Sequence, residues 1–233
     1  MGPLAASLLV LTILFPAVAV AGDQPAVTGE NDRISYSVGY QVGGDFKRQR
    51  VELNPELFVK GIRDAMSGGE PLLSREEMDR TLVDLKRKVV TAQREEQKKA
   101  GEKNLAEGKK FLEENAKKEG VATLPSGLQY QVIEPGAGDS PKKTDSVTVQ
   151  YRGTRIDGTE FDSSYKRGRP ATFRVDGVIA GWTEALQRMK PGAKWRLFIP
   201  SNLAYGERGS GAKIPPNSAL IFEVELVSVQ PGK

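Results

Sequence analysis

From Leu203 the chain reads LAYGERGSGAKIPPNSALIFEVEL, a crowd of glycines, a lysine and two prolines ahead of an apolar run. Gly206 and Gly211 have four residues between them. That is the gap of a phosphate-gripping loop, in which a Lys reaches the outer phosphates and a Ser or Thr holds magnesium. Here Ala212 occupies the lysine position, and Ile214 follows Lys213 where the Ser or Thr should stand. The flanking order is also reversed, because a strand-like run follows the loop where a helix is required. The loop argues against nucleotide binding and asks for another chemistry.

That chemistry has to work without the usual reagents. The sequence holds no cysteine and no histidine. Disulfides, thiol nucleophiles, the common zinc sites and every His-dependent triad are excluded together. No side chain is left that titrates near neutrality by default. Nothing implies a metal or a cofactor. The 34 basic residues are interleaved with 30 acidic ones, for a net charge of +4. A nucleic-acid role wants basic residues massed on one face, so that balance argues against it.

The elements that must position a site fall into four stretches. In the first, residues 1–21, MGPLAASLLVLTILFPAVAVA is apolar and uncharged and ends Ala19-Val20-Ala21, the form that signal peptidase accepts. It reads as a secretory signal cut before Gly22, although no Lys or Arg precedes the apolar run. The alternative is an uncleaved membrane anchor, near the minimum spanning length and interrupted by Pro16. No cysteine follows the run, which argues against a lipid-anchored form.

The second stretch, 22–72, reads as a helical dimerisation region. Ile34, Val38, Val42 and Phe46 recur every four residues along one helix face. Gly39 and Gly43 share that stretch, each costing an isolated helix about 1 kcal/mol; a close helix-to-helix approach is a reason to tolerate both. A second helix starts at NPELFVKGIRDAM, with Asn54 as cap and Pro55 in the first turn. Two such short helices cannot close a core alone. The expectation is a homodimer through residues 31–92.

The third stretch, 73–120, reads as a long connecting helix. Ser74 and Glu77 form a capping box, and Met78, Leu82, Leu85, Val89 and Ala92 follow four-three spacing. Beyond Ala92 the text turns polar and reads as a solvated strut. At 1.5 Å per residue, a helix from Ser74 to Glu119 would be roughly 70 Å long, with Gly101 and Gly108 leaving room for a bend.

In the fourth stretch, 121–233, the period changes to two. Leu128, Tyr130 and Val132 alternate with polar residues, as do Val147, Val149 and Tyr151. Further strands are expected at 171–175, 194–199 and 219–229, with one helical interlude, GWTEALQRMK, whose Trp182, Ala185, Leu186 and Met189 share a face. The fold class is α+β: an antiparallel sheet wrapped around a short helix, preceded by an all-α region and the long helix.

Three segments, VTVQYRGTRIDGTEFDSSYKRGRPATFRV, VIAGWTEALQRMKPGAKWRLFIP and LAYGERGSGAKIPPNSALIFEVELVSV, together resemble the FK506-binding-protein class of peptidyl-prolyl isomerases in order and spacing. The resemblance covers about residues 123 to 229. The preceding helices, including ISYSVGYQVGGDF, resemble the macrophage-infectivity-potentiator and FkpA-like branch, exported bacterial proteins that dimerise through the N-terminal region.

The implied reaction suits the missing reagents. Rotation about an X-Pro bond meets a barrier of about 18–20 kcal/mol because amide resonance must be broken, while the two isomers differ little. No bond is cleaved, so no nucleophile is needed. By resemblance, Tyr151, Phe161, Val178, Ile179, Trp182, Tyr205, Ile214 and Phe222 line an aromatic slot for the proline ring, with Trp182 as its floor. The Ile179 N–H and the Tyr205 hydroxyl would bond substrate carbonyls. Asp162 would lie beside the twisting amide, and Arg167 would pair with it or orient it. Tyr205 to Pro216 would form a flap over the pocket.

Departures from the family pattern are Ser210 at a flap position often held by His, Lys213 at an apolar one, and Ala171 at an aromatic wall position. They bear on substrate preference and on a macrolide ligand of the FK506 or rapamycin type. The implied partners are proline-containing polypeptide clients. Implied location is the periplasm or the outer membrane, with membrane association left open. Two competing readings are a dimeric chaperone that binds unfolded clients with incidental isomerisation, and a purely structural protein that leaves the pocket unused.

Overall fold

The structure, a computed structural model, describes residues 27–232, so the expected secretory signal lies outside the described residues. The chain divides into two compact units, one ending at Pro71 and the other beginning at Leu72.

In the first unit α1 spans Glu30–Arg48 and α2 spans Pro55–Ser67. Asn54 Oδ1 caps α2 by accepting from the N–H groups of Glu56 and Leu57, at 3.0 and 3.1 Å, and Gly68 ends the helix with a left-handed φ of 69°. The rings of Phe46 and Phe58 meet edge to face, with centroids 6.0 Å apart. Neither helix contains a buried residue. Ile34, Val38, Phe58, Ile62 and Met66 are all exposed. A Cβ placed on Gly39 or Gly43 would meet no atom within 4 Å, so the close approach expected there is not made among the described residues.

The second unit opens with α3, Arg75–Asn115, capped by the reciprocal hydrogen bonds of Ser74 and Glu77. The helix stops four residues short of the expected Glu119, because Gly120 takes a left-handed φ of 77° to turn the chain into the sheet. Its strands are β1 (Val121–Thr123), β2 (Gln129–Glu134), β3 (Ser146–Arg155), β4 (Glu160–Ser163), β5 (Ala171–Arg174), β6 (Lys194–Ile199) and β7 (Leu220–Gln230). They pair antiparallel in the order β1-β2-β6-β7-β3-β4, with β5 also on β3.

Alternation decides which face is buried. Val147, Val149 and Tyr151 of β3, Trp195, Leu197 and Ile199 of β6, and Leu220, Phe222, Val224 and Leu226 of β7 all turn inward. Against them lies α4, Ala180–Leu186, through Trp182, Ala185 and Leu186. Each fully buried large apolar side chain contributes about 1.5–3 kcal/mol. Gly181 permits the contact, since a Cβ there would sit 2.6 Å from Ile199 Cγ2.

The second half of α3 differs from the solvated strut read in the sequence. Gly101, Gly108 and Asn115 are buried. A Cβ on Gly108 would meet Ala219 Cβ at 3.0 Å, and one on Gly101 would meet Pro216 Cβ and Asn217 Nδ2 at 3.2 Å. Asn104 Nδ2 donates to the Pro216 carbonyl over 2.8 Å, the ring of Phe111 lies 6.0 Å from that of Phe198, and Asn115 Nδ2 donates to Gln129 Oε1 over 3.0 Å. These five residues repeat at three-four spacing. Apart from Phe111, the helix is docked by glycine and amide residues that no hydrophobic pattern reveals, and its glycines serve close approach instead of a bend.

Candidate active site

A hollow of about 400 Å³ opens between β3, β4, β5, β7 and α4, lined by Tyr151, Phe161, Asp162, Phe173, Gly177, Val178, Ile179, Trp182, Tyr205 and Phe222. That volume is within the range of small-ligand pockets. Its floor and walls are rings set edge to face. Trp182 meets Tyr151 and Phe222 at 5.2 Å and Phe173 at 6.0 Å, and Phe161 meets Phe222 at 5.4 Å. Such pairs contribute about 0.5–1.5 kcal/mol beyond their buried area, which makes the slot a stiff one.

Sheet register brings the walls together. Gly153 of β3 is directly opposite both Asp162 of β4 and Phe222 of β7. A Cβ at Gly153 would lie 2.7 Å from Phe161 Cζ and from Phe222 Cε1. The glycine is therefore what allows those two rings to converge.

One lip is polar. The Tyr151 hydroxyl donates to Asp162 Oδ2 over 2.5 Å, and the Ser163 N–H donates to Oδ1 over 2.8 Å. Arg167 pairs with Asp162 through Nη1 and donates from Nη2 to the Tyr151 oxygen over 2.6 Å. Burial pushes the Asp162 carboxyl up, but the hydrogen bonds from Tyr151, Arg167 and Ser163 and the guanidinium charge outweigh it and hold the group below the usual carboxylate range. Burial, then the hydrogen bond to Asp162, pushes the Tyr151 phenol up. Burial also raises Tyr205, helped by the Asp162 charge. Asp162 is thus a fixed anion, and both phenols stay protonated.

The hollow also offers donors. Neither the Tyr205 hydroxyl nor the Ile179 N–H has a hydrogen-bond acceptor among the described residues. Both residues line the hollow. Two unspent donors beside an apolar slot suit a peptide, whose carbonyls need partners once water is displaced.

Eight of the ten residues expected at the site line this one hollow: Tyr151, Phe161, Asp162, Val178, Ile179, Trp182, Tyr205 and Phe222. Arg167 lies behind Asp162 and Tyr151 and does not line it. Ile214 also stays outside the lining; its side chain is 5% exposed and packs into the core cluster beneath the flap. The flap closes its own turn through Ser210 and Ile214, whose N–H groups donate to each other's carbonyls at 2.8 and 3.2 Å. Lys213 Nζ reaches the Phe161 carbonyl at 3.3 Å.

Sequence reasoning missed Phe173. Ala171 leaves a wall position short of a ring, and Phe173, two residues on and so on the same face of β5, supplies one. Period-two reading from Ala171 contained that signal. Among the described residues no group of three or more acidic side chains could hold a metal ion, and no helix is long and apolar enough to cross a membrane.

The chain is similar to known proteins along most of its length. Residues 138–227 match the model of the FKBP-type peptidyl-prolyl cis-trans isomerase domain, and residues 31–132 match the domain found amino-terminal to it. The chain is 44% identical over 221 residues, 95% of each protein, to the outer membrane protein MIP of Legionella longbeachae. It is 50% identical over 196 residues, 84% of this chain and 93% of the relative, to the FKBP-type 22 kDa peptidyl-prolyl cis-trans isomerase of Escherichia coli. Among solved structures, that of FkpA from Escherichia coli superposes with a TM-score of 0.71 at 41% identity, covering 89% of this chain and all of that one.

Proposed function

This chain belongs to the FKBP-type peptidyl-prolyl cis-trans isomerases and carries their activity, and from that premise we propose how its own residues turn the prolyl bond. The proline ring enters the hollow over Trp182, between Phe161, Phe173 and Phe222. Burial strips water from the planar amide, whose resonance form is the more polar, and so favours the twisted one. The Ile179 N–H and the Tyr205 hydroxyl take the flanking carbonyls and hold the substrate in a turn. Asp162, kept charged and fixed by Tyr151 and Arg167, stands at the lip where the rotating amide passes. No covalent step occurs, and no group changes protonation.

The single observation that carries this reading is the pairing of an aromatic slot with two unpartnered donors, Ile179 N–H and Tyr205 Oη. A protease-coupled assay on X-Pro tetrapeptides tests it. The full chain is expected to accelerate isomerisation, and Tyr205→Phe to lose several-fold in kcat/KM. Equal rates for the wild type and the double variant Tyr205→Phe, Asp162→Asn would contradict it. The dimeric chaperone with incidental isomerisation is not favoured, since the pocket is whole. A macrolide would enter the same hollow, with Phe173 in place of the missing ring at Ala171.

The clients are proline-containing polypeptides in the cell envelope. Export is supported by the signal-like first 21 residues and by the name of one relative as an outer membrane protein. We assign the dimer contact to residues 31–92. Both helices before Pro71 lack a buried residue, and Ile34, Val38, Ile62 and Met66 stand exposed. A second copy gives that surface a partner and yields two tethered sites, hence avidity for one client.

A further inference from the structure

The flap that carries Tyr205 at its foot returns to the sheet through Pro215, Pro216 and Asn217, and it is held at both ends of that return. Asn217 N–H donates to the Gly206 carbonyl over 2.8 Å, and Ser218 Oγ donates to the Pro215 carbonyl over 2.8 Å. Those bonds close the flap on itself. A third bond comes from outside it: Asn104 of α3, 112 residues earlier, donates from Nδ2 to the Pro216 carbonyl over 2.8 Å. One turn before it, Gly101 brings the α3 backbone so close that a Cβ would touch Pro216 Cβ and Asn217 Nδ2 at 3.2 Å. One turn after it, Gly108 does the same against Ala219. Three residues at three-four spacing thus bear on the flap's return and on Ala219, the residue just before β7.

Pro216 has no N–H, so its carbonyl is the one strong handle its peptide offers. Asn217, next in the chain, holds a positive φ of 55° that side chains other than glycine adopt uncommonly. A segment so constrained transmits a displacement along the chain instead of absorbing it. We infer that Asn104 is a positioning residue for isomerisation: with Gly101 and Gly108 it seats the flap's return on α3 and thereby sets where Tyr205 and the flap tip stand over the slot. The long helix is then part of the catalytic unit as well as a connector. This rests on the reading of the slot given above.

The test uses the full chain and three substitutions. Gly101→Ala replaces a poor helix former with the best one but places a methyl against Pro216. Asn104→Asp removes the donor from a side chain of the same shape. Phe111→Ala loosens α3 at Phe198, away from the flap. Hydrogen exchange of the Ser210 and Ile214 amides reports flap opening, and the protease-coupled assay reports turnover. Gly101→Ala and Asn104→Asp are expected to speed exchange of both amides about tenfold and to lower kcat/KM by roughly threefold to tenfold, with no fall in Tm for Gly101→Ala. Phe111→Ala is expected to lower Tm with neither flap exchange nor kcat/KM altered. If Gly101→Ala and Asn104→Asp leave both readouts at the wild-type level, or change them only as much as Phe111→Ala does, the positioning role is overturned. A wild type that turns over no X-Pro peptide would instead remove the functional reading, and the exchange data would still decide whether α3 seats the flap.

Discussion

The Tyr151 hydroxyl and the Asp162 carboxylate are 2.5 Å apart, and the Arg167 guanidinium reaches both. A carboxylate so held is charged and immobile in the free protein. It needs no reorganisation when an amide twists beside it, which is the condition under which a fixed charge helps most. Asp162→Asn keeps the shape and removes the charge. Losing one charge-assisted interaction of about 1.4 kcal/mol in the transition state corresponds to about tenfold in kcat/KM. Tyr151→Phe is expected to cost less, because Arg167 and Ser163 N–H remain on the carboxylate. Steady-state kinetics on one X-Pro peptide checks the order.

The pH profile should be flat across neutrality. With no histidine in the chain, Asp162 held low and Tyr151 and Tyr205 pushed up, nothing in the slot titrates between about pH 5 and about pH 9. The folded Asp162 lies below its unfolded value of about 3.9. Its contribution to stability is therefore complete above that value and is lost as pH falls through the folded one. Activity and stability should decline together only below about pH 4, as followed by kcat/KM and by circular dichroism. A midpoint near pH 6 to 7 would contradict the assignment.

Gly153 should not tolerate a methyl group. Ala at this position would press on Phe161 and Phe222 from 2.7 Å, and overpacking of this kind costs about 1–3 kcal/mol. Gly153→Ala is expected to lower Tm by several degrees and to reduce kcat/KM more than Asp162→Asn does, since it spreads the walls of the slot. Thermal melts and kinetics on the same sample separate the two effects.

How far the sequence alone reaches depends on what kind of contact holds each part. The sheet was legible because Val147, Val149 and Tyr151 of β3 and Leu220, Phe222, Val224 and Leu226 of β7 recur every second residue, and α4 because Trp182, Ala185 and Leu186 fall on one face. Capping by Asn54 and Ser74 was legible from residue type. The docking of α3 was not. Gly101, Asn104, Gly108 and Asn115 carry no hydrophobic signal, and only their proximity to Pro216, Ala219 and Gln129 gives them meaning. Of the slot, the aromatic walls could be named from family motifs. Phe173 could not, because the motif placed its ring two residues earlier, at Ala171. Ile214 turned into the core for a related reason: a β-branched apolar side chain beside an exposed glycine turn is better buried than presented to solvent.

The exposed faces of α1 and α2 should be covered by a second copy. The full chain is expected to sediment as a dimer at micromolar concentration, and a fragment from Leu72 onward as a weaker dimer or a monomer. Val38→Asp and Ile62→Asp together place charges on that surface and should dissociate the full chain without loss of activity on a short peptide. A full chain that is monomeric at those concentrations would remove residues 31–92 as a dimer contact.

A prolyl peptide is expected to sit in the aromatic hollow with its carbonyls on Ile179 N–H and Tyr205 Oη. The direct measurement is an amide-resolved NMR titration of the full chain with a short X-Pro peptide, read with exchange spectroscopy on the peptide's own cis and trans signals. Binding there is expected to give a downfield shift of the Ile179 amide, perturbed Trp182 indole and Phe222 resonances, and catalysed cis-trans exchange that falls in Asp162→Asn. Catalysed exchange with the Ile179, Trp182 and Phe222 signals unmoved would contradict it.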